Sequence, residues 1–219
     1  MTKGKFIVLE GIDGSGKATQ TKLLIKYFKK KGLKVQKIDF PQHGTKSAAM
    51  VDEYLKGKYG KIDAYKASVF YAIDRYDASF KIRKWLKQGN IVVADRYISS
   101  NAGHQGGKLD KQERKKYFKW LYNLEYNIFE IPKPDLTIIL KSSPQISFKM
   151  SAQAKDRKKV YLGKKKDLHE KDINHLKKAL QAYLDLAKTA PREFKVIECI
   201  ENNKMISLEK VHEKIKKIL

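Results

Sequence analysis

The sequence predicts an α/β protein: a five-stranded parallel sheet flanked by helices. Three observations carry that expectation. Five short apolar runs, FIVLE (6–10), VQKIDF (35–40), IVVAD (91–95), LTIIL (136–140) and FKVIECI (194–200), are mostly rich in Ile and Val. Near-continuous apolar runs suit strands covered on both faces. Longer segments of helical spacing lie between them, which implies right-handed crossovers. A glycine-rich loop, GIDGSGK, joins the first run to the helical segment that follows.

The elements can be justified in order. After the first strand, Leu23, Leu24, Tyr27 and Phe28 recur on one face of a helix over 17–31, and Gly32 stops it. The stretch VFYAIDRYDAS (69–79) places Tyr71 and Arg75 four residues apart, on one side of a helix. SSNAGHQGG (99–107) is short and polar, with few core residues, and reads as a loop or a ring-edge binding segment. Residues 111–129 mix Lys with Tyr, Phe and Trp, and Phe118, Leu121, Tyr122, Leu124 and Phe129 form a helical stripe that predicts core or a subunit interface. Residues 151–169 are highly charged and almost without core residues, as a solvated stretch or a flap would be. Ile173, Leu176, Leu180, Tyr183, Leu184 and Ala187 mark a further helix over 170–188. Ser207 can cap a last one carrying Val211, Ile215 and Ile218.

Composition narrows the function. At 219 residues with no linker or repeat, one domain over 1–219 is the default. The chain has no run of about 20 apolar residues, the length of a membrane span. Cys199 is the single cysteine, so neither an intrachain disulfide nor a cysteine metal cluster forms. These features predict a soluble cytoplasmic protein. The net charge of +24 could mean a polyanion partner. Only six of the 48 basic residues are Arg, however, and the Lys are spread along nearly every segment. A base-reading protein concentrates Arg, whose fork matches guanine edges. Specific nucleic-acid binding is therefore not expected.

The chemistry lies in a few stretches. Gly11 to Lys17 fits the phosphate-binding loop G-x-x-x-x-G-K. Its glycines allow the backbone N–H groups of Gly11, Ile12, Asp13, Gly14, Ser15 and Gly16 to face phosphate oxygens, with a helix N-terminus behind them. The pattern then calls for a hydroxyl, but Ala18 stands there and Thr19 comes one residue later. Asp95 and Arg96 end the third predicted strand, where an open parallel sheet keeps its ligand crevice. Asp95 can hold magnesium or its waters, and Arg96 can bridge phosphates. Phe70, Tyr71 and Arg75 can take a base, and Ser100, Asn101 and Gln105 can read a ring edge.

Together these stretches resemble the nucleoside monophosphate kinase branch of the P-loop kinases, specifically the thymidylate kinase family. The family pattern GxDGxGKxTQ is matched by GIDGSGKATQ, and its FP pair by Phe40-Pro41. Its aromatic–x–x–D–R motif is similar to 71–75. Its DRY–x–x–S…Q–G motif is matched by Asp95, Arg96, Tyr97, Ser100, Gln105 and Gly106. Its PD strand is similar to Pro134-Asp135. The resemblance implies a three-layer P-loop kinase fold, transfer of phosphoryl from ATP to dTMP with Mg²⁺, and a homodimer formed by helices. It assigns Lys17 to the ATP phosphates, and Asp13 to the acceptor sugar or phosphate. Tyr71, with Phe70 behind it, stacks on the base; Arg75 and Gln105, with Asn101, bind it; Arg96 holds the acceptor phosphate; and Asp95 organises magnesium, mostly through water. Phe40, Pro41, His43 and Ser100 complete the acceptor side, and Ala18 and Thr19 the ATP side. The phosphate loop has no Arg after Asp13, so the positive finger falls to the basic flap. Arg157 is its only Arg, with Lys155, Lys158 and Lys159 as alternatives.

The chain departs from the family pattern in places. Gln42 and His43 stand where many relatives carry an Arg, Lys141-Ser142-Ser143 replace an acidic residue, and Gly103-His104 replace Ala-Tyr. His43 offers a pH-dependent charge there. The adenylate kinases have Gly-Lys-Gly-Thr-Gln at the place of GKATQ, so Ala18 is compatible with a working loop. Two competing readings are another nucleoside monophosphate or deoxynucleoside kinase, and a basic P-loop nucleic-acid-binding protein.

Overall fold

The computed structural model describes residues 4–153 and 173–219. Five parallel strands form one sheet: β1 (Lys5–Glu10), β2 (Val35–Asp39), β3 (Ile91–Asp95), β4 (Leu136–Lys141) and β5 (Phe194–Glu198). All pair in parallel, as the five apolar runs predict, and the structure sets their order as β2-β3-β1-β4-β5. The helices are α1 (Lys17–Lys30), α2 (Ala49–Leu55), α3 (Ala64–Lys87), α4 (Ile98–His104), α5 (Lys111–Tyr122), α6 (Pro144–Gln153), α7 (Ile173–Thr189) and α8 (Leu208–Lys216).

Strand alternation divides the core into two layers. Phe6, Val8, Val92 and Ala94 face α3, α4, α5 and α7. Ile7, Leu9, Ile91 and Val93 face α1 and α8. The central strands bury both faces, hence their unbroken apolar runs, whereas edge strand β2 is buried fully only at Ile38. Asp135, from the Pro-Asp pair, locks β4 to β1: its carboxylate accepts the Phe6 N–H at 2.7 Å.

Three local readings change. FKVIECI does not run to residue 200 as one strand. Cys199 leaves the sheet, and β6 (Ile200–Glu201) pairs antiparallel with β7 (Lys204–Met205). The Asn202-Asn203 turn between them takes positive φ at both residues, which Asn tolerates best after Gly. The 111–129 helix passes at Asn123 into a π-helical turn, Asn123–Ile128. The polar 99–107 stretch is not a loop: α4 and a 3-10 turn at Gly106–Lys108 bury nearly all of it. Its small residues are what allow such close packing. The predicted flap falls almost wholly outside the described residues.

The order reverses around β1. The turns after β1 and β3 therefore open side by side at the carboxyl edge of the sheet, where an open α/β sheet forms its crevice.

Candidate active site

The turn after β1 is residues 11–16. Gly16, at φ 93°, is the N-cap of α1, and no side chain caps that helix end. The first turn of α1 has no acidic residue either. Its N–H groups and the positive end of its dipole thus face the crevice with no competing side-chain cap, as an anion site requires. Gly14, at φ 80°, lies so close to α6 that a Cβ there would sit 2.1 Å from the Ser147 carbonyl oxygen. An Arg at position 14 has no room on this backbone. Ala18 is exposed and Thr19 half-buried on the first turn of α1.

Lys17 folds back over the loop and donates to the carbonyls of Gly11 at 3.0 Å and Ile12 at 2.9 Å. Burial pushes its ammonium down to about 8; Arg96 adds to the drop, and Asp13, Asp95 and Glu10 oppose it. One consequence is testable. The protonated fraction of Lys17 falls as pH rises through about 8, so kcat/KM for a nucleoside triphosphate should fall over the same range. Bound phosphates raise the pKa again, so the basic limb of kcat should lie higher. Coincident limbs in the two pH profiles, or none, would remove Lys17 from the donor site.

Arg96 pairs with Asp13 across the crevice. Its backbone is left-handed, φ 71°, and its N–H donates to the Leu9 carbonyl at 2.9 Å. Its Nη1 lies 3.3 Å from Ser100 Oγ and 3.2 Å from His104 Nε2, and His104 Nδ1 lies 3.2 Å from His175 Nε2. Burial alone would lower the guanidinium's pKa, but Asp13 and other nearby anionic groups more than reverse that. Arg96 therefore stays charged at any working pH. Asp95 is held above the usual carboxylate range by burial, with Lys17 and Arg96 pulling it back.

Behind this pair sits a residue that motif reasoning missed. Glu10 is fully buried, and accepts from the Tyr97 N–H at 2.8 Å, the Ser100 hydroxyl at 2.7 Å and the Tyr183 hydroxyl at 2.9 Å. Burial raises its pKa, against the pull of Arg96 and these donors. The only sequence signal was a charged residue ending an otherwise apolar strand.

The predicted base-binding residues are gathered on α3 and α4, but several are engaged inside the protein. Arg75 is 1% exposed; its Nε and Nη2 donate to both oxygens of Glu125, at 2.6 Å each. Burial alone would lower its pKa, and the Glu125 carboxylate more than offsets this. Glu125 comes from the π-helical turn and is fully buried. Asn101 donates to the Ser68 carbonyl at 3.2 Å, and Gln105 accepts from Lys108 at 2.7 Å. Phe70 and Tyr71 are half-buried and pack with Val51, Tyr54 and Leu55. Phe40 is a core residue beneath the site, 5% exposed, with its ring 5.5 Å from that of Tyr97. Pro41 is half-buried beside it. His43 contacts Asp52, which also accepts the Gly44 N–H, so the ring helps fix its own loop. Asp74 secures that loop from α3, accepting Gln42 N–H at 2.9 Å and Ser47 Oγ–H at 2.9 Å. Arg157 and its neighbouring Lys residues lie outside the described residues.

The family model for thymidylate kinase matches residues 9–215. The chain belongs to the thymidylate kinase family. It is 32% identical over 218 residues to a thymidylate kinase of Caldicellulosiruptor saccharolyticus, covering 99% of this chain and 96% of that one. It is 29% identical over 184 residues to one of Mycobacterium tuberculosis, covering 83% and 85%. Among solved structures, a Candida albicans thymidylate kinase superposes with a TM-score of 0.73 at 23% identity, covering 99% of this chain and 91% of that one. As a thymidylate kinase family member this chain is an enzyme, and the family reaction is ATP-dependent phosphorylation of dTMP to dTDP.

Among the described residues, no three His, Cys, Asp or Glu side chains gather as a metal cluster. Magnesium in kinases takes most ligands from phosphates and water, and needs only one or two carboxylates. Asp95 is a carboxylate that could serve there; Asp39, opposite it in the β2–β3 register, is paired with Lys37. No described helix is long and apolar enough to cross a membrane.

Proposed function

We propose that this chain is one kinase domain that moves the γ-phosphoryl group of ATP onto dTMP by alignment and charge neutralisation. The observation that carries the proposal is the Asp13–Arg96 pair: it joins the phosphate loop to the turn after β3, 83 residues apart in sequence, at one crevice. The nucleophile is an acceptor phosphate oxygen, already anionic near neutral pH, so no general base is required. Lys17 and the loop N–H groups, with Thr19, take the donor phosphates. Arg96, steadied by Asp13, takes the acceptor phosphate. Tyr71 stacks on the base with Phe70 behind it, and Arg75, Asn101, Gln105 and Ser100 bound the pocket. Asp95 would hold magnesium mostly through water, and the ion, when bound, neutralises charge on the donor phosphates. Arg157 is proposed as the flap's positive finger because its planar fork suits phosphate oxygens better than Lys.

The test is ADP formation from ATP with dTMP, dUMP, AMP, CMP and thymidine offered in turn. The expected result is a clear preference for dTMP. A dTMP rate no better than the rest would sink the acceptor assignment. Failure of every acceptor alongside salt-sensitive DNA binding would favour a nucleic-acid role.

A homodimer belongs to the same proposal. Ile73, Tyr76 and Phe80 lie on one exposed face of α3, at 39%, 41% and 59% exposure, and the Tyr76 ring lies 5.1 Å from that of Phe129. An apolar stripe on a chain of charge +24 suits self-association through this helix. Sedimentation velocity should show a dimer that Phe80→Lys converts to monomer; a monomeric parent chain would refute it. A cytoplasmic location is proposed as well, consistent with one cysteine, Cys199, that is buried.

A further inference from the structure

Glu10 ends β1 one residue before the phosphate loop, and water does not reach it. A carboxylate so placed is costly unless donors surround it. Two of its three donors, the Tyr97 N–H and the Ser100 hydroxyl, follow Arg96 closely in sequence. The third, the Tyr183 hydroxyl, arrives from α7. Arg96 itself holds a left-handed backbone, which a non-glycine residue keeps only when its surroundings impose it. Two consecutive N–H groups, of Arg96 and Tyr97, are held by the end of β1: one by the Leu9 carbonyl and one by Glu10.

Tyr183 reaches Glu10 through a gap. A Cβ on Gly103 would lie 2.3 Å from Tyr183 Cε2 and 2.6 Å from Cδ2 and Cζ. Gly103 sits inside α4, where Ala is the better helix former. Room for the Tyr183 ring is therefore what glycine supplies at 103.

We infer that Tyr183 and Glu10 are positioning residues for the acceptor half of the site, with Gly103 as the opening that admits Tyr183. Tyr183 fixes the Glu10 carboxylate, Glu10 fixes the Tyr97 N–H, and together they set the conformation from which Arg96 meets Asp13. The inference rests on Arg96 as the acceptor-phosphate residue.

Tyr183→Phe tests it, because the ring stays and only the hydroxyl is lost. The expected result is about a tenfold loss of kcat/KM for dTMP, from a higher KM for dTMP and a lower kcat, with KM for ATP held within about twofold. Gly103→Ala should cause a larger loss in the same direction, with a lower Tm. Adding Tyr183→Leu to it should restore Tm without restoring kcat/KM for dTMP. If Gly103→Ala does not fold, Tyr183→Phe decides alone. An unchanged kcat/KM for dTMP in Tyr183→Phe, or equal losses for both substrates, would overturn the inference. An Arg96→Ala variant separates the two levels. If it loses dTMP use and Tyr183→Phe does not, only the positioning role falls; if Arg96→Ala keeps dTMP use, the role of Arg96 falls first.

Discussion

Arg96→Ala is expected to lower kcat/KM for dTMP by a factor of about 10²–10³, the range seen when one preorganised donor to developing charge is removed. The reason is geometric. Arg96 leaves β3 in a left-handed conformation and is gripped by Leu9 through its own N–H, so its guanidinium is placed before substrate arrives. Its partner Asp13 belongs to the phosphate loop, so one contact orients the acceptor side against the donor side. Arg96→Lys should recover only part of the loss, since a point charge replaces a two-pronged fork. KM for ATP should move little in either variant. Steady-state kinetics with each substrate varied would check this, and a loss confined to ATP would assign Arg96 to the donor instead. Stability should change modestly, because both partners of the pair keep some solvent contact, at 18% and 25% side-chain exposure.

Glu125→Ala is expected to cost about 3–5 kcal/mol of stability, the penalty for leaving one charge of a buried pair unpartnered. For a chain of this size that is a drop in Tm of roughly 6–20 °C. Arg75 is 1% exposed and its Nε and Nη2 both donate to Glu125, so loss of the carboxylate strands a buried guanidinium. The double variant Arg75→Met/Glu125→Leu should recover most of that stability, because apolar groups of similar volume replace a buried pair at little cost. It should not recover affinity for dTMP if Arg75 bounds the base pocket as proposed. Thermal unfolding and dTMP titration separate the two effects. A Tm unchanged in Glu125→Ala would mean water reaches Arg75; full dTMP affinity in the double variant would take Arg75 out of the site.

These two arginines show where sequence reasoning stops. Both are expected as site residues from short motifs whose spacing carries the signal: Asp-Arg-Tyr at the end of a strand, and an aromatic four residues before Arg on a helix. Their partners were not equally legible. Asp13 was, since it lies inside the phosphate loop. Glu125 was not, since it is 50 residues from Arg75 in a segment whose visible pattern was aromatic and basic. A π-helical turn, which shifts the register of everything after Tyr122, brings that carboxylate inward, and no local periodicity announces it. Similarly, the 99–107 stretch looked like a loop because it lacks large apolar residues. It is buried because its small residues admit Tyr183, Tyr117 and Phe118 from other helices.

The sequence by itself determined the α/β class, the five strands, the phosphate loop and the family. Those rest on local quantities: apolar runs of strand length, helical repeats, and glycines that release the backbone where phosphate must approach. Only the tertiary structure decided which charges face one another: Arg96 with Asp13, Arg75 with Glu125, and Glu10 with Tyr97, Ser100 and Tyr183. A buried charge is stabilised by whichever donors or countercharges the fold brings within hydrogen-bonding distance. That choice is made by packing between elements far apart in the chain, and spacing along the chain does not encode it.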